Sequence, residues 1–168
     1  SEISQSASPP STADRFTEVD KVALMEAHYV AAIRAHDMLI RGDLDLFRMQ
    51  LTVLARQTLP DNAPERWGAP HDAMVSAAER ASGATTLRQA SEGMASVVQT
   101  CGACHAADPN GPVYARPEPP EGQDAAARML THQWATERLW EGVTRPWDEA
   151  WLRGAEVLAT SVVFDNGT

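Results

Sequence analysis

The sequence predicts an all-α fold, and three observations lead to that prediction. Apolar residues recur at helical spacing in several stretches, alanine is abundant, and aromatic residues make up only 6% of the chain. The 10 glycines and 11 prolines cluster in a few places, where they would separate the helices. A chain of 168 residues is long enough for one domain with a sizeable buried core.

The first two predicted helices form an antiparallel pair. Thr17 and Asp20 have the spacing of a capping pair that opens the first helix. Gly42 ends this helix and Asp43 caps the second one, over about residues 44–58, so the turn is tight enough to require antiparallel packing. Each helix should bury one apolar face: Val22, Met25, Tyr29, Ala32, Ile33, His36 and Ile40 on the first, and Leu44, Phe47, Leu51, Leu54 and Ala55 on the second.

Two further helices follow a loop over residues 59–69. Pro70 suits the first turn of the third helix, and Gly83 ends it. Thr86 and Gln89 form a capping box that opens the fourth helix. Its apolar face runs through residues at heptad-like spacing: Leu87, Ala90, Met94, Val97, Cys101 and Cys104.

A proline-rich stretch and a second helical pair complete the chain. Five prolines and a glycine exclude a helix or central strand over residues 108–120. Two helices follow, over about 124–142 and 146–160. The predicted organisation is a flexible tail (1–16), a four-helix bundle (17–107), a linker (108–123) and a helical hairpin (124–168).

The most informative stretch is Cys101-Gly102-Ala103-Cys104-His105, a C-x-x-C-H sequence. Thiols three positions apart lie on one side of a helix, so both can bond to the vinyl groups of one porphyrin. The adjacent His105 can then bind the iron as the proximal ligand. The pattern therefore predicts one covalently attached haem c.

A zinc site, a redox pair and a disulfide each fit the two thiols less well than haem does. These are the only two cysteines, whereas a structural zinc site normally needs four Cys or His ligands. A thioredoxin-like redox pair would require a βαβ setting, which the chain lacks. A structural disulfide stays open as an alternative, although it gives His105 no role.

The net charge and the hydropathy of the chain limit the kinds of partner and location that it can have. The formal net charge of −9 argues against nucleic-acid binding and suits a redox partner with a cationic docking face, although it could serve solubility alone. No apolar run approaches the roughly 18 residues that indicate a membrane span. Covalent haem attachment takes place outside the cytoplasm, so we expect a removed leader and a periplasmic or extracellular location.

The second helical pair repeats the first at an offset of 104 residues. Shared amphipathic periodicity explains part of this similarity, but identical residues at one offset favour duplication. The matches are Met25 with Met129, His28 with His132, Arg34 with Arg138, Arg41 with Arg145, and Val53-Leu54-Ala55 with Val157-Leu158-Ala159.

A four-helix unit with C-x-x-C-H at the end of its last helix resembles the class II cytochromes c, the cytochrome c′ type. The resemblance covers about residues 17–107 and depends on the motif, its position and the helix count. It implies an antiparallel bundle that buries the haem, with His105 as the fifth ligand and any sixth ligand from the first helix. The long extension after the motif departs from the family pattern.

Several side chains are candidates for the sixth ligand. In an antiparallel bundle the end of the fourth helix lies beside the start of the first, where Met25 and His28 occur. The repeat of histidine at His132 favours His28, with Met25 as the alternative and an empty site as a third option. His36 is predicted to be a core histidine, and His71 to be exposed.

The leading functional prediction is a periplasmic one-electron carrier, and nothing in the sequence indicates catalytic activity. The alternatives are a gas-binding or sensing haem protein with an open or displaceable sixth site, and a haem subunit of a larger assembly. The tryptophan-rich hairpin could pack on its own bundle, but we favour a homodimer through residues 124–160, with His132 structural.

Overall fold

The computed structural model describes residues 16–108, 118–122 and 124–161. These residues contain helices and no strand, which confirms the all-α class. The six α-helices are α1 (Glu18–Ile40), α2 (Leu44–Ala55), α3 (Gly68–Ser82), α4 (Leu87–Ala107), α5 (Ala125–Thr144) and α6 (Asp148–Thr160). A turn of 3₁₀ helix, Glu65–Trp67, leads into α3. In the described ranges, no helix combines the length and apolarity needed to cross a bilayer.

The chain divides into two compact units between Ala90 and Ser91, inside α4. The predicted boundary lay after residue 107 instead, so that the whole of α4 would belong to the first bundle. The C-x-x-C-H end of α4 is grouped with α5 and α6. Residues 1–15 of the predicted tail, most of the predicted linker and the last seven residues lie outside the described residues.

In the first unit, α2 packs against both α1 and α3. Its predicted apolar face is confirmed at Phe47, Leu51 and Leu54, which are fully buried. Side chains also join the helices to each other: the Arg48 guanidinium donates to the carbonyl oxygen of Ser82 (3.0 Å), for example. The larger apolar side chains of α2 therefore form the core of this unit.

The predicted apolar face of α1 is wrong for several of its large residues. Val22, Tyr29 and Ile40 are exposed, with Ile40 at 71% of its maximal exposure. The helix buries three alanines, Ala31, Ala32 and Ala35, and of these only Ala32 was part of the predicted face. Small side chains let two helix backbones approach closely, so alanine forms the contact surface although its hydrophobicity is modest. Leu87, predicted to belong to the apolar row of α4, is exposed as well.

The capping predictions are largely confirmed. Thr17 and Asp20 form the full capping box at the start of α1, and the Asp43 side chain accepts from the backbone N–H of Leu46 (3.0 Å). Before α4, Thr86 accepts from the backbone N–H of Gln89 (3.2 Å). The Gln89 side chain, however, accepts from the Thr85 backbone N–H rather than that of Thr86.

The two helical pairs share their turn geometry at the repeat offset of 104. The N–H of Asp43 donates to the carbonyl of Met38 (2.9 Å), and the N–H of Trp147 donates to that of Gly142 (3.0 Å). The first turn uses Gly42 at φ 72°. The second turn has a proline at the equivalent position, so the same closing hydrogen bond is reached without a left-handed residue. The matching hydrogen bonds at the two helix ends are therefore consistent with the internal repeat.

In the second unit, α5 and α6 pack closely through small residues. A Cβ at Gly142 would lie 2.7 Å from the Cβ of Trp151, and one at Gly154 would lie 2.6 Å from the Ala135 carbonyl oxygen. Trp134 is only 7% exposed, with the Arg138 guanidinium 5.5 Å from the centre of its ring. The hairpin therefore buries one of its tryptophans within the unit.

Candidate functional site

The C-x-x-C-H residues occupy the last two turns of α4, which ends at Ala107. Cys101, Cys104 and His105 are each partly buried, and Gly102 is fully buried, whereas Ala103 faces solvent. The helical spacing places both thiols on one side of α4, as the sequence predicted. Four of the five motif residues are therefore at least partly covered by neighbouring residues.

Both thiols are held in the neutral form. Burial, with a smaller contribution from Cys104, raises the pKa of Cys101 to about 11. Burial, followed by the charge of Asp108, also raises the pKa of Cys104. In addition, the motif lies at the C-terminal end of a helix, where the helix dipole disfavours a thiolate.

This environment argues against a thiol–disulfide redox pair. Such pairs depend on a thiolate, which is favoured where a helix N-terminus or cationic neighbours lower the thiol pKa. Cys101 instead lies near the C-terminal end of its helix, and burial raises its pKa. Both cysteines are free in the structure. Thioether bonds to a porphyrin carry no charge, so a buried neutral pair is compatible with them.

The donor set does not match a structural metal site either. Among the described residues, no three His, Cys, Asp or Glu side chains come together in a group that could hold a metal ion. A structural zinc ion normally takes four such ligands. Haem iron requires only one or two protein ligands, and His105 could provide one beside the thiol pair.

The imidazole of His105 is oriented by the end of α5. Its Nδ1 atom lies 2.8 Å from the carbonyl oxygen of Thr144. A carbonyl oxygen only accepts, so Nδ1 must carry the proton and donate it. In the neutral ring, Nε2 is then the nitrogen with the available lone pair. This is the tautomer in which metal-binding histidines are commonly fixed.

His105 is also kept neutral, which is the form in which a histidine can bind a metal. Burial is the largest influence and lowers its pKa, whereas the hydrogen bond to Thr144 raises it. The charge of Arg145 lowers the pKa further, and that of Asp108 opposes this effect. The net effect is a lowered pKa, so the ring is unprotonated near neutral pH.

The α5–α6 turn reaches the motif because Gly102 has no side chain. A Cβ placed there would lie 2.5 Å from the carbonyl oxygen of Val143 and 3.9 Å from Cδ of Pro146. Neither Gly102 nor Thr144 was a candidate from the sequence. The available signals were a glycine inside a helical motif and a tryptophan-rich hairpin that needed a packing partner.

The candidate sixth ligands lie in the first unit, on α1. The His28 ring lies beside that of His71, with 5.7 Å between their centroids. The His71 side chain is only 10% exposed, so the prediction that it faces solvent is wrong. It opens α3, and its ring is covered by its neighbours rather than pointing outward. His36 is half-buried, and burial lowers its pKa.

Comparisons with known proteins provide no family or function for the chain. The chain shows no significant match to protein-family models, to curated proteins or to solved structures. The functional assignment therefore depends on the motif, on the burial of its thiols and on the orientation of His105.

Proposed function

We propose that the chain is a mono-haem c-type cytochrome that carries single electrons. Cys101 and Cys104 would hold the haem covalently, and His105 would bind its iron. One observation carries this proposal: Nδ1 of His105 donates to the Thr144 carbonyl, which leaves Nε2 for a metal beside two neutral thiols on the same helix.

The two cysteines and the histidine of the motif each have a role in this proposal. When bound, haem supplies an iron that alternates between the ferric and ferrous states. Each thiol would add across one vinyl group of the porphyrin, so that sulfur would bond to one carbon and the thiol hydrogen would pass to the other. His105 would supply its Nε2 lone pair to the iron, while the hydrogen bond to Thr144 restrains rotation of the ring.

The remaining features of the proposal follow from the sequence. His28 is the proposed sixth ligand, with Met25 as the alternative. The formal net charge of −9 suits a redox partner with a cationic docking face. Because attachment of haem to thiols takes place outside the cytoplasm, the proposed location is the periplasm or the extracellular space.

The proposal is tested by producing the protein together with a haem-attachment system. We expect haem to remain bound after denaturation and to give the pyridine-haemochrome spectrum of a haem with two thioether bonds. The double variant Cys101→Ala with Cys104→Ala should lose this haem on denaturation, whereas Ala103→Ser, at the exposed position between them, should keep it.

A second measurement addresses the electron-carrier role. A six-coordinate ferrous spectrum that carbon monoxide does not alter supports an electron carrier. Rapid binding of carbon monoxide would contradict that role and favour the gas-binding alternative. Haem loss from the unchanged protein on denaturation would contradict the c-type assignment itself.

A further inference from the structure

Three of the last four carbonyl groups of α5 accept hydrogen bonds, and His105 is one of the donors. The last four carbonyls of a helix have no partner within it. The carbonyl of Glu141 accepts from the N–H of Arg145 (3.0 Å), and that of Gly142 accepts from the N–H of Trp147 (3.0 Å). The carbonyl of Thr144 is left for the imidazole of His105. The ring thus contributes to the capping of α5.

Close backbone packing makes this hydrogen bond possible. At 2.5 Å from the Val143 carbonyl oxygen, a Cβ on Gly102 would be well inside van der Waals contact, and the obstructing atom belongs to a backbone that cannot rotate away. Any side chain at residue 102 must therefore push the end of α5 away from α4. Because Thr144 follows Val143 directly, the same displacement would lengthen or break its bond to His105.

The electrostatics of this contact act on the ring as well. The C-terminal end of a helix carries a partial negative charge, and α5 directs this end at Nδ1–H of His105. A hydrogen bond from Nδ1 to an acceptor makes the other nitrogen a stronger donor to a metal. A stronger donor stabilises the ferric state and lowers the reduction potential of the iron.

We propose that the α5–α6 hairpin is a positioning and tuning element for the haem iron, which acts through the hydrogen bond from His105 to the Thr144 carbonyl and requires glycine at residue 102. This inference rests on the proposed function. It gives the hairpin a role in the same unit as the motif, where the sequence indicated either packing on its own bundle or a dimer contact.

The decisive variant is Gly102→Ala. We expect the haem to stay attached, because Cys101 and Cys104 are unchanged, and the reduction potential to rise. In a His28→Ala background, where the ferrous iron would lack its sixth ligand, the iron–histidine stretching frequency should also fall, since the ring becomes a weaker donor. Gly68→Ala is the matched control, because a Cβ there meets nothing within 4 Å, and it should leave both values unchanged.

If Gly102→Ala does not acquire haem, a measurement on the unsubstituted chain tests the proposal instead. In the haem-free, reduced protein, nitrogen-15 NMR should show His105 protonated at Nδ1, with slow exchange of that proton. Protonation at Nε2 overturns the proposal, and so does an unchanged potential in a haem-loaded Gly102→Ala protein. Failure of the unsubstituted protein to acquire haem would instead refute the proposed function, and the tuning role with it.

Discussion

The imidazole of His28, on α1, lies beside that of His71, on α3, with their centroids 5.7 Å apart and their planes inclined by 35°. The two rings come from helices that are separated by α2 in the chain, so their proximity was not visible in the sequence. Both belong to the first unit. A substitution at His28 therefore also changes the surroundings of His71, and any test of the sixth ligand must separate the two.

The sixth-ligand prediction is tested by comparing three variants of the matured protein. His28→Ala should change a low-spin ferric spectrum into one with high-spin character, because the iron loses an axial ligand. His71→Ala controls for disturbance of the neighbouring ring and should keep the low-spin spectrum. If Met25→Ala alone changes the spectrum, then Met25 is the ligand and the prediction for His28 is wrong.

The core of the first unit provides a stability prediction. Phe47 is fully buried in α2, so Phe47→Ala should lower the free energy of unfolding by about 3–5 kcal/mol through lost burial and a new cavity. Met49, two residues along the same helix, is exposed, and Met49→Ala should cost no more than about 0.5 kcal/mol. Denaturant titration measures both, and equal losses would contradict the described packing of α2.

His36 predicts how the stability of the first unit changes with pH. Burial lowers its pKa from 6.5, and the nearby charge of Asp37 only partly opposes this. Below pH 6.5 the unfolded chain binds a proton more readily than the folded protein does, so stability falls as the pH decreases through this range. It levels off only below the folded-state pKa.

The control for this pH effect is His36→Gln, which removes the titrating ring but keeps a polar side chain. In thermal unfolding between about pH 7 and pH 5, the variant should lose less stability on acidification than the unsubstituted protein. Identical pH profiles would show that His36 is not desolvated in the folded state.

The exposure of the hairpin tryptophans decides how the predicted homodimer should be tested. Trp134 is buried within its own unit, so its substitution would disturb the hairpin itself. Trp151 is 45% exposed and Leu152 is exposed beside it, which makes them the better candidates for a contact between chains. The dimer prediction expects Trp151→Ala with Leu152→Ala to sediment as a monomer with an unchanged haem spectrum. A monomeric unsubstituted protein at micromolar concentration would refute the dimer.

Much of the fold could be predicted because its signals are local. Thr17 with Asp20 opens α1, Asp43 opens α2 and Asp124 opens α5, each through a side chain that accepts from nearby backbone N–H groups. The face that α1 buries could not be predicted in the same way. Hydrophobicity favours Val22 and Ile40, whereas close helix contact selects alanines, and that choice depends on the neighbouring helix.

The sequence leads to the chemistry proposed for the site but not to the partner of His105. The spacing of Cys101, Cys104 and His105 is sufficient to indicate haem attachment. The partner of His105 is a backbone carbonyl of Thr144, 39 residues away, and any residue type could supply that atom. Side-chain patterns contain no information about such a bond.

The most direct test of covalent haem attachment is the intact mass of the protein after production with a haem-attachment system, measured under denaturing conditions. We expect the polypeptide mass plus one haem, and peptide mapping should place both thioether bonds at Cys101 and Cys104. A mass equal to that of the bare polypeptide under those conditions would contradict the proposal that this chain is a c-type cytochrome.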